Sequence, residues 1–256
     1  MPDIAFSSLG TGQPVILIHG FCETKELWED FQPALSYSGQ VFCPDLPGFG
    51  ESKLTKGDPF TIDFVAEQMV KWLADLNIKD PILIGHSLGG YVALAILAMA
   101  SENIKAVGLF HSTAFPDNKQ KKLVREKAVK FVENYGSGPF VENFIPQLFS
   151  GPHLERHKGT IAKLILRGKD IPSETIIAYS KAMRDRPDRV DVLKKFTGKK
   201  CFIAGEFDTA VSITASRQHQ DWVDDYLEIK QCGHMGMFEK PNETLVFLQQ
   251  FITKAK

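Results

Sequence analysis

Ile82-Leu83-Ile84-Gly85-His86-Ser87-Leu88-Gly89-Gly90-Tyr91-Val92 is the stretch on which the reading of this chain turns. An apolar β-branched run stops at a G-x-S-x-G pattern, and a run of small and apolar residues reaching Ala100 starts directly behind it. That context predicts a strand, a sharp turn at Ser87 and a helix. Glycine two residues before and two after the serine leaves room for the turn, because a Cβ at either place would collide with the opposing backbone. The turn lifts the serine hydroxyl out of the surface and aims the first helical N–H groups at whatever it attacks. Ser87 is therefore the candidate nucleophile.

Working outward, short continuous apolar runs recur. Val15 to His19, Gln40 to Pro44, Ile82 to Ile84, Ala106 to Phe110 and Lys200 to Ala204 read as buried strands. Asp225 to Lys230 is a sixth, more amphipathic and so nearer an edge. Between them, Phe64, Val65, Met69, Trp72, Leu73 and Leu76 follow helical spacing, as do Thr244, Leu245, Phe247, Leu248 and Phe251. Apolar strands alternating with helices predict an α/β fold with a mostly parallel open sheet covered on both faces.

The alternation breaks between Ala114 and about Phe196. Helices are expected over Asp117 to Tyr135, Thr160 to Arg167 and Ser173 to Arg184, with a short aromatic piece at Phe140 to Phe149. Pro187 is expected to open a last helix, since a first-turn proline leaves no N–H unpaired. Residues 1–113 and 197–256 would then form the core, and residues 114–196 a helical insertion.

A nucleophilic serine needs a base and a group to orient the base. Asp208 follows the Cys201 to Ala204 strand, and His234 follows the Tyr226 to Lys230 strand. Both emerge at the strand ends where Ser87 emerges, the edge at which open α/β sheets bind ligands. Glu206 is the rival for the acid. Oxyanion donors are expected from the backbone N–H of Leu88 and, on the loop His19-Gly20-Phe21, from that of Phe21. His19 reads as a residue that holds this loop, and His86 is expected to point away from the site. His111, at the end of its strand, is placed either to line the pocket or to be a satisfied core histidine, and the latter is the reading preferred. His153, His157 and His219 lack ligand spacing, so neither a metal nor another cofactor is expected.

Composition sets the outer bounds. The chain has 256 residues, enough for one large α/β domain with an insertion. Thirty Lys and Arg against thirty-one Asp and Glu give a net charge of −1, and no basic stripe points to nucleic acid. No apolar run reaches the ~18–20 residues of a membrane span. The start Met1-Pro2-Asp3-Ile4 lacks the pattern of a signal peptide. Cys22, Cys43, Cys201 and Cys232 are scattered, which suits free thiols in a cytoplasmic protein.

The chain resembles the α/β-hydrolase fold superfamily over essentially its whole length. The resemblance is carried by His19-Gly20-Phe21, Asp45-Leu46-Pro47-Gly48-Phe49-Gly50-Glu51-Ser52, Gly85-His86-Ser87-Leu88-Gly89-Gly90, Gly205-Glu206-Phe207-Asp208, and Gly233-His234 with Glu239 and Pro241 behind it. It implies Ser87 as nucleophile, His234 as general base, Asp208 as its partner, and residues 114–196 as a helical cap. Departures narrow the group. Relatives that use Asp as nucleophile differ at Ser87, and carbon–carbon bond hydrolases commonly carry Trp where this chain has Met235. What remains is a serine hydrolase acting on a small, largely apolar carboxylic ester, lactone or thioester. The alternatives are a ligand receptor on the same fold and a carbon–carbon bond hydrolase. Of the cap residues, Phe140, Phe144 and Met183 are expected to line the substrate pocket.

Overall fold

The computed structural model describes residues 4–54 and 59–256. In chain order the elements are β1 (Phe6–Leu9), β2 (Pro14–Ile18), α1 (Phe31–Leu35), β3 (Gln40–Pro44), α2 (Ile62–Asp75), β4 (Ile82–His86), α3 (Leu88–Ala100) and β5 (Ala106–Phe110). There follow α4 (Lys119–Tyr135), α5 (Ser137–Phe144), α6 (Lys158–Gly168), α7 (Ser173–Asp185) and α8 (Val190–Lys195). The chain closes with β6 (Lys199–Gly205), α9 (Ile213–Arg217), β7 (Asp225–Ile229), α10 (Gly236–Glu239) and α11 (Pro241–Ala255).

The strands form one sheet in the order β1-β3-β2-β4-β5-β6-β7. All pairs from β3 to β7 are parallel. The residues of β4 and β5 are all buried, as strands covered on both faces must be. The amphipathic β7 lies at an edge, as its sequence predicts. At the other edge β1, absent from the sequence reading, pairs antiparallel with β3, Phe6 opposite Pro44 and Leu9 opposite Val41. Its four residues are mostly exposed and include no apolar run, so nothing in them announces a buried strand.

The strand order explains where the helices lie. The step from β2 to β3 runs one way along the sheet, and the step from β3 to β4 runs back. Right-handed crossovers then put α1 on one face and α2 and α3 on the other. In agreement, α1 packs with α11, while α2 and α8 pack on α3. The reversal leaves β2 and β4 side by side with their following loops heading to opposite faces. Such a switch point opens a crevice beyond the strand ends.

Between β5 and β6 the chain is helical throughout, and α4 lies against α7. One expectation there is corrected. Pro187 does not open α8, which starts at Val190. Asp188 Oδ1 takes the Val190 N–H at 2.8 Å, and the Arg189 N–H donates to the Ala114 carbonyl at 2.9 Å. Those bonds hold the proline outside the helix.

Six described non-glycine residues have positive φ. Four of them, Cys22, Ser87, His111 and Gln231, follow the C-terminal ends of β2, β4, β5 and β7. All four cysteines are free and buried. No helix among the described residues is long and apolar enough to cross a membrane.

Candidate active site

Ser87 sits between β4 and α3 at φ 50° and ψ −112°, the strained turn its sequence predicts. Its N–H donates to the Phe110 carbonyl at 2.9 Å. Its carbonyl accepts from the Ser112 hydroxyl at 2.7 Å and from the Gly90 N–H at 3.0 Å. A Cβ on Gly85 would collide with the backbone of Gly89, and one on Gly89 with the carbonyl of Ile18. The turn is thus fixed from three sides, by β5, α3 and β2. Ser87 is only partly covered, whereas its neighbours in the turn are buried.

Asp208 and His234 meet at the same sheet edge. His234 Nδ1 lies 2.8 Å from Asp208 Oδ2, and both side chains are buried. Asp208 Oδ1 accepts the N–H groups of Ala210 and Val211, each at 2.8 Å. A carboxylate with those partners stays ionised. Burial alone would raise its pKa, but His234 and His111 outweigh it and hold Asp208 well below the usual carboxylate range. In the neutral tautomer that donates Nδ1–H to Asp208, the other ring nitrogen of an imidazole carries the lone pair. Glu206, the rival acid, takes the Gln231 N–H at 2.9 Å and lies 3.6 Å from Lys230 Nζ, on the outer side of the loop.

The His234 loop is anchored from below. The His234 N–H donates to the Leu148 carbonyl at 2.7 Å. Buried Glu239 accepts the Gly233 N–H at 3.0 Å with one oxygen. Its other oxygen takes the Ser150 N–H at 3.1 Å, the Ser150 hydroxyl at 2.6 Å and His153 Nδ1 at 3.0 Å. One carboxylate therefore ties the histidine loop to residues 148–153.

The loop after β2 carries the other feature. His19 Nδ1–H donates to the Gly20 carbonyl at 2.8 Å, and Nε2 accepts the Leu46 N–H at 2.9 Å. Burial lowers its pKa, which suits the neutral ring this pairing requires. The Gly20 N–H is committed to Glu23 Oε2 at 2.6 Å. The next N–H along is that of Phe21, and Leu88 is the first residue of α3, so both expected donors lie on the segments that follow the adjacent strands β2 and β4.

His86 departs from expectation. It does not point away but lies beneath the site, its ring centroid 4.9 Å from that of His234. Its Nδ1 meets Glu23 Oε2 at 2.9 Å and its Nε2–H donates to the His234 carbonyl at 3.1 Å. Burial opposes charge on both partners, yet their mutual attraction raises His86 and lowers Glu23. The pair links the Gly20 loop to the His234 loop. Glu23 and Ser112 carry no signature in the sequence; their roles come from contacts 63 and 25 residues away. His111 also departs from expectation. Its Nδ1 lies 3.2 Å from Asp208 Oδ2, and its buried Nε2 has no partner among the described residues.

His111, Asp208 and His234 bring potential metal-ligating atoms within 4.8 Å of one another. Both imidazole Nδ1 atoms, however, converge on one carboxylate oxygen at hydrogen-bond distance while the other oxygen holds two backbone N–H groups. A cation there would have to break both imidazole bonds, so the donor set fits a proton network better than a metal.

Aromatic residues roof the loop. The ring of Phe21 packs edge-on against Phe49, Phe140 and Phe144, at 6.3, 6.1 and 5.7 Å between centroids. Phe140 and Phe144 stack at 5.5 Å. With Phe21, Val124, Ala128 and Phe131 they line a cavity of about 270 Å³, rimmed by Arg125, Lys127, Asn143 and Gln147. Met183 does not line it; it is buried on α7. A larger cleft of about 790 Å³ runs between the start of α2 and α7. Neither space has Ser87, Asp208 or His234 in its wall.

Comparison with known proteins places this arrangement. The family described as alpha/beta hydrolase fold matches residues 13–241. A thermophilic esterase from Thermogutta terrifontis superposes with a TM-score of 0.91 at 27% identity, over 98% of this chain and 93% of its own. The enol-lactonase of Burkholderia xenovorans LB400 superposes at 0.88 with 20% identity, over 98% and 96% of the two chains, a likeness of fold. Protein PHYLLO of Arabidopsis thaliana is 23% identical over 272 residues, 95% of this chain but 15% of that protein. Several other curated relatives are likewise much longer, the chain spanning 27%, 21% and 44% of three of them. The match over nearly all of the sheet and its loops means that this chain belongs to the α/β-hydrolase fold family.

Proposed function

We propose that the protein is a serine hydrolase that cleaves a small, largely apolar carboxylic ester, lactone or thioester. The observation that carries this reading is the 2.8 Å bond from His234 Nδ1 to Asp208 Oδ2, at the same sheet edge as the strained Ser87 turn. The names of the superposed esterase and enol-lactonase support the bond class. Ser87 attacks the substrate carbonyl, and His234 takes its proton as general base. Asp208 holds the imidazole in the tautomer that leaves the other nitrogen free, and stabilises the imidazolium that forms. The tetrahedral oxyanion is received by the N–H groups of Phe21 and Leu88. His234 then protonates the leaving group, and with water the same base cleaves the acyl-enzyme.

In this reading residues 114–196 are a cap that shapes the substrate pocket, while 1–113 and 197–256 supply the chemistry. The apolar wall of Phe21, Phe140 and Phe144 beside the oxyanion loop supports an apolar group on the substrate. Four unpaired, buried thiols support a cytoplasmic setting. A fluorophosphonate probe tests the centre directly. Peptide mass spectrometry should find one adduct, on Ser87, formed far more slowly when His234 is replaced by Ala. Labelling elsewhere, or none, would overturn the assignment.

A further inference from the structure

The proposed reaction uses Ser87, His234 and Asp208 and leaves one neighbouring group without a task. His111 follows β5 with φ 50°, in the left-handed region where a β-branched or bulky side chain is strained. Its ring is buried and turned towards the acid rather than the solvent. The slot is narrow: a Cβ on Gly205 would come within 2.9 Å of the His111 ring, and one on Gly236 would collide with its Nε2. Because Asp208 is a carboxylate, His111 must donate Nδ1–H to it, at 3.2 Å. Nε2 is buried with no described acceptor for a proton, which favours the neutral ring. Burial, which lowers its pKa, acts in the same direction.

We propose that His111 is a positioning residue for the triad, its Nδ1–H holding Asp208 Oδ2 in line with His234 and sharing the charge that His234 faces. The proposal rests on the serine-hydrolase reading above. Asp208 accepts four hydrogen bonds, two from backbone N–H groups on Oδ1 and two from imidazoles on Oδ2. Without His111, Oδ2 keeps only His234, and nothing but the two N–H groups on Oδ1 fixes the carboxylate independently of that base. The ionisable groups around His234 are Asp208 on the loop after β6, His111 after β5, and the His86–Glu23 pair beneath it. Glu239, holding Gly233, and the buried Cys232 thiol belong to the same loop region. Of these, His111 is the neutral donor that acts on His234 through Asp208.

The test compares His111→Ala with His111→Asn, whose amide can still donate and which tolerates positive φ. Losing a donor to a charged acceptor should lower kcat roughly 10- to 100-fold. KM should change little, since the His111 ring is buried and faces the acid. The acid limb of the pH–rate profile should move up by on the order of half a pH unit, because an unshared carboxylate charge favours protonated His234. His111→Asn should recover most of both effects. In an Asp208→Asn background His111→Ala should add little, because the two act as a unit. An unmoved acid limb, or full additivity with Asp208→Asn, overturns the proposal. Should His111→Ala not fold, His111→Gly, relaxed at positive φ, takes its place. Proton NMR of the unaltered protein needs no turnover. It should show a protected Nδ1–H from His111 that shifts in Asp208→Asn, and its absence overturns the proposal too. If Ser87→Ala keeps the wild-type rate, the hydrolase reading fails whatever the NMR shows.

Discussion

The loops at the C-terminal edge of the sheet and the five helices between β5 and β6 follow different rules. In the loops nearly every polar atom is committed. Ser87 is held by Phe110, Ser112 and Gly90, and Asp208 has four donors. Replacing Asp208 or His234 there breaks a bond that nothing else supplies. Among the helices the packing is looser at the surface, with Leu123, Val124 and Leu166 each more than half exposed. A few buried anchors fasten this region. Tyr179 Oη donates to the Pro47 carbonyl at 2.9 Å while its ring packs on Phe49, and Arg186 pairs with Asp117 at 2.8 Å. The contrast teaches where chemistry and where selectivity can vary. On the proposed reading the edge leaves little room for change, whereas the helical region can change its lining and keep its anchors.

The sharpest break in that contrast would come at Ser87. Ser87→Ala should cost on the order of 10⁶ in kcat on an ester substrate, with circular dichroism unchanged. Asp208→Asn follows at about 10⁴, because His234 would lose its tautomer. Glu206→Gln, on the outer side of the loop, should be mild. Exchange of the last two results would move the acid to Glu206.

Backbone crowding predicts a loss of stability rather than chemistry. Gly89→Ala would drive a Cβ into the Ile18 carbonyl. About 1–3 kcal/mol is the usual cost of overpacking, and contact with fixed backbone puts this case at the upper end. Urea unfolding midpoints read it, and an unchanged midpoint would mean that α3 can slide away from β2.

His219 tests the root of the helical region. Its Nε2 accepts the Ala114 N–H at 3.0 Å and its Nδ1–H donates to the Ala215 carbonyl at 3.0 Å, so the folded protein needs the neutral ring. Burial pushes its pKa down to about 4. The unfolded value is about 6.5. A depressed folded pKa means the contribution is complete above about pH 6.5 and is lost as pH falls towards 4. The slope of unfolding free energy over that window should be shallower in His219→Gln than in the unaltered protein. Equal slopes would assign the acid sensitivity to other groups.

The smallest effects belong to the aromatic wall. Phe140→Ala and Phe144→Ala should shift the preferred acyl length by ~1–3 kcal/mol in relative kcat/KM. Met183→Ala, buried away from that cavity, should instead lower stability by about 2–5 kcal/mol with the ester preference kept. If Met183→Ala changes preference and the phenylalanine variants do not, the pocket lies on the α7 side.

Much of this was legible in the sequence because it is local. Gly85 to Gly90 carries the glycine spacing of the turn within six residues, although Phe110, Ser112 and Ile18 also hold it, and continuous apolar runs announce buried strands. The pairings that complete the site are not local. Glu23 meets His86 across 63 residues and His111 meets Asp208 across 97. A lone glutamate or histidine carries no periodicity, so only the strand order brings its partner into view. β1 stayed hidden for a different reason. Phe6 to Leu9 pairs through its backbone at an exposed edge, and that demands little of its side chains.

The positive-φ backbones at Cys22, Ser87, His111 and Gln231 also bear on heat resistance. Each such conformation is held at a cost of about 1–3 kcal/mol. Two of them serve the proposed chemistry, and relaxing them would trade rate for durability. Gln231 is exposed, and its contacts to Glu206 and Ser150 run through its own backbone, so its side chain is dispensable. An engineer seeking a longer-lived catalyst would begin with Gln231→Asn and leave Ser87 and His111 alone.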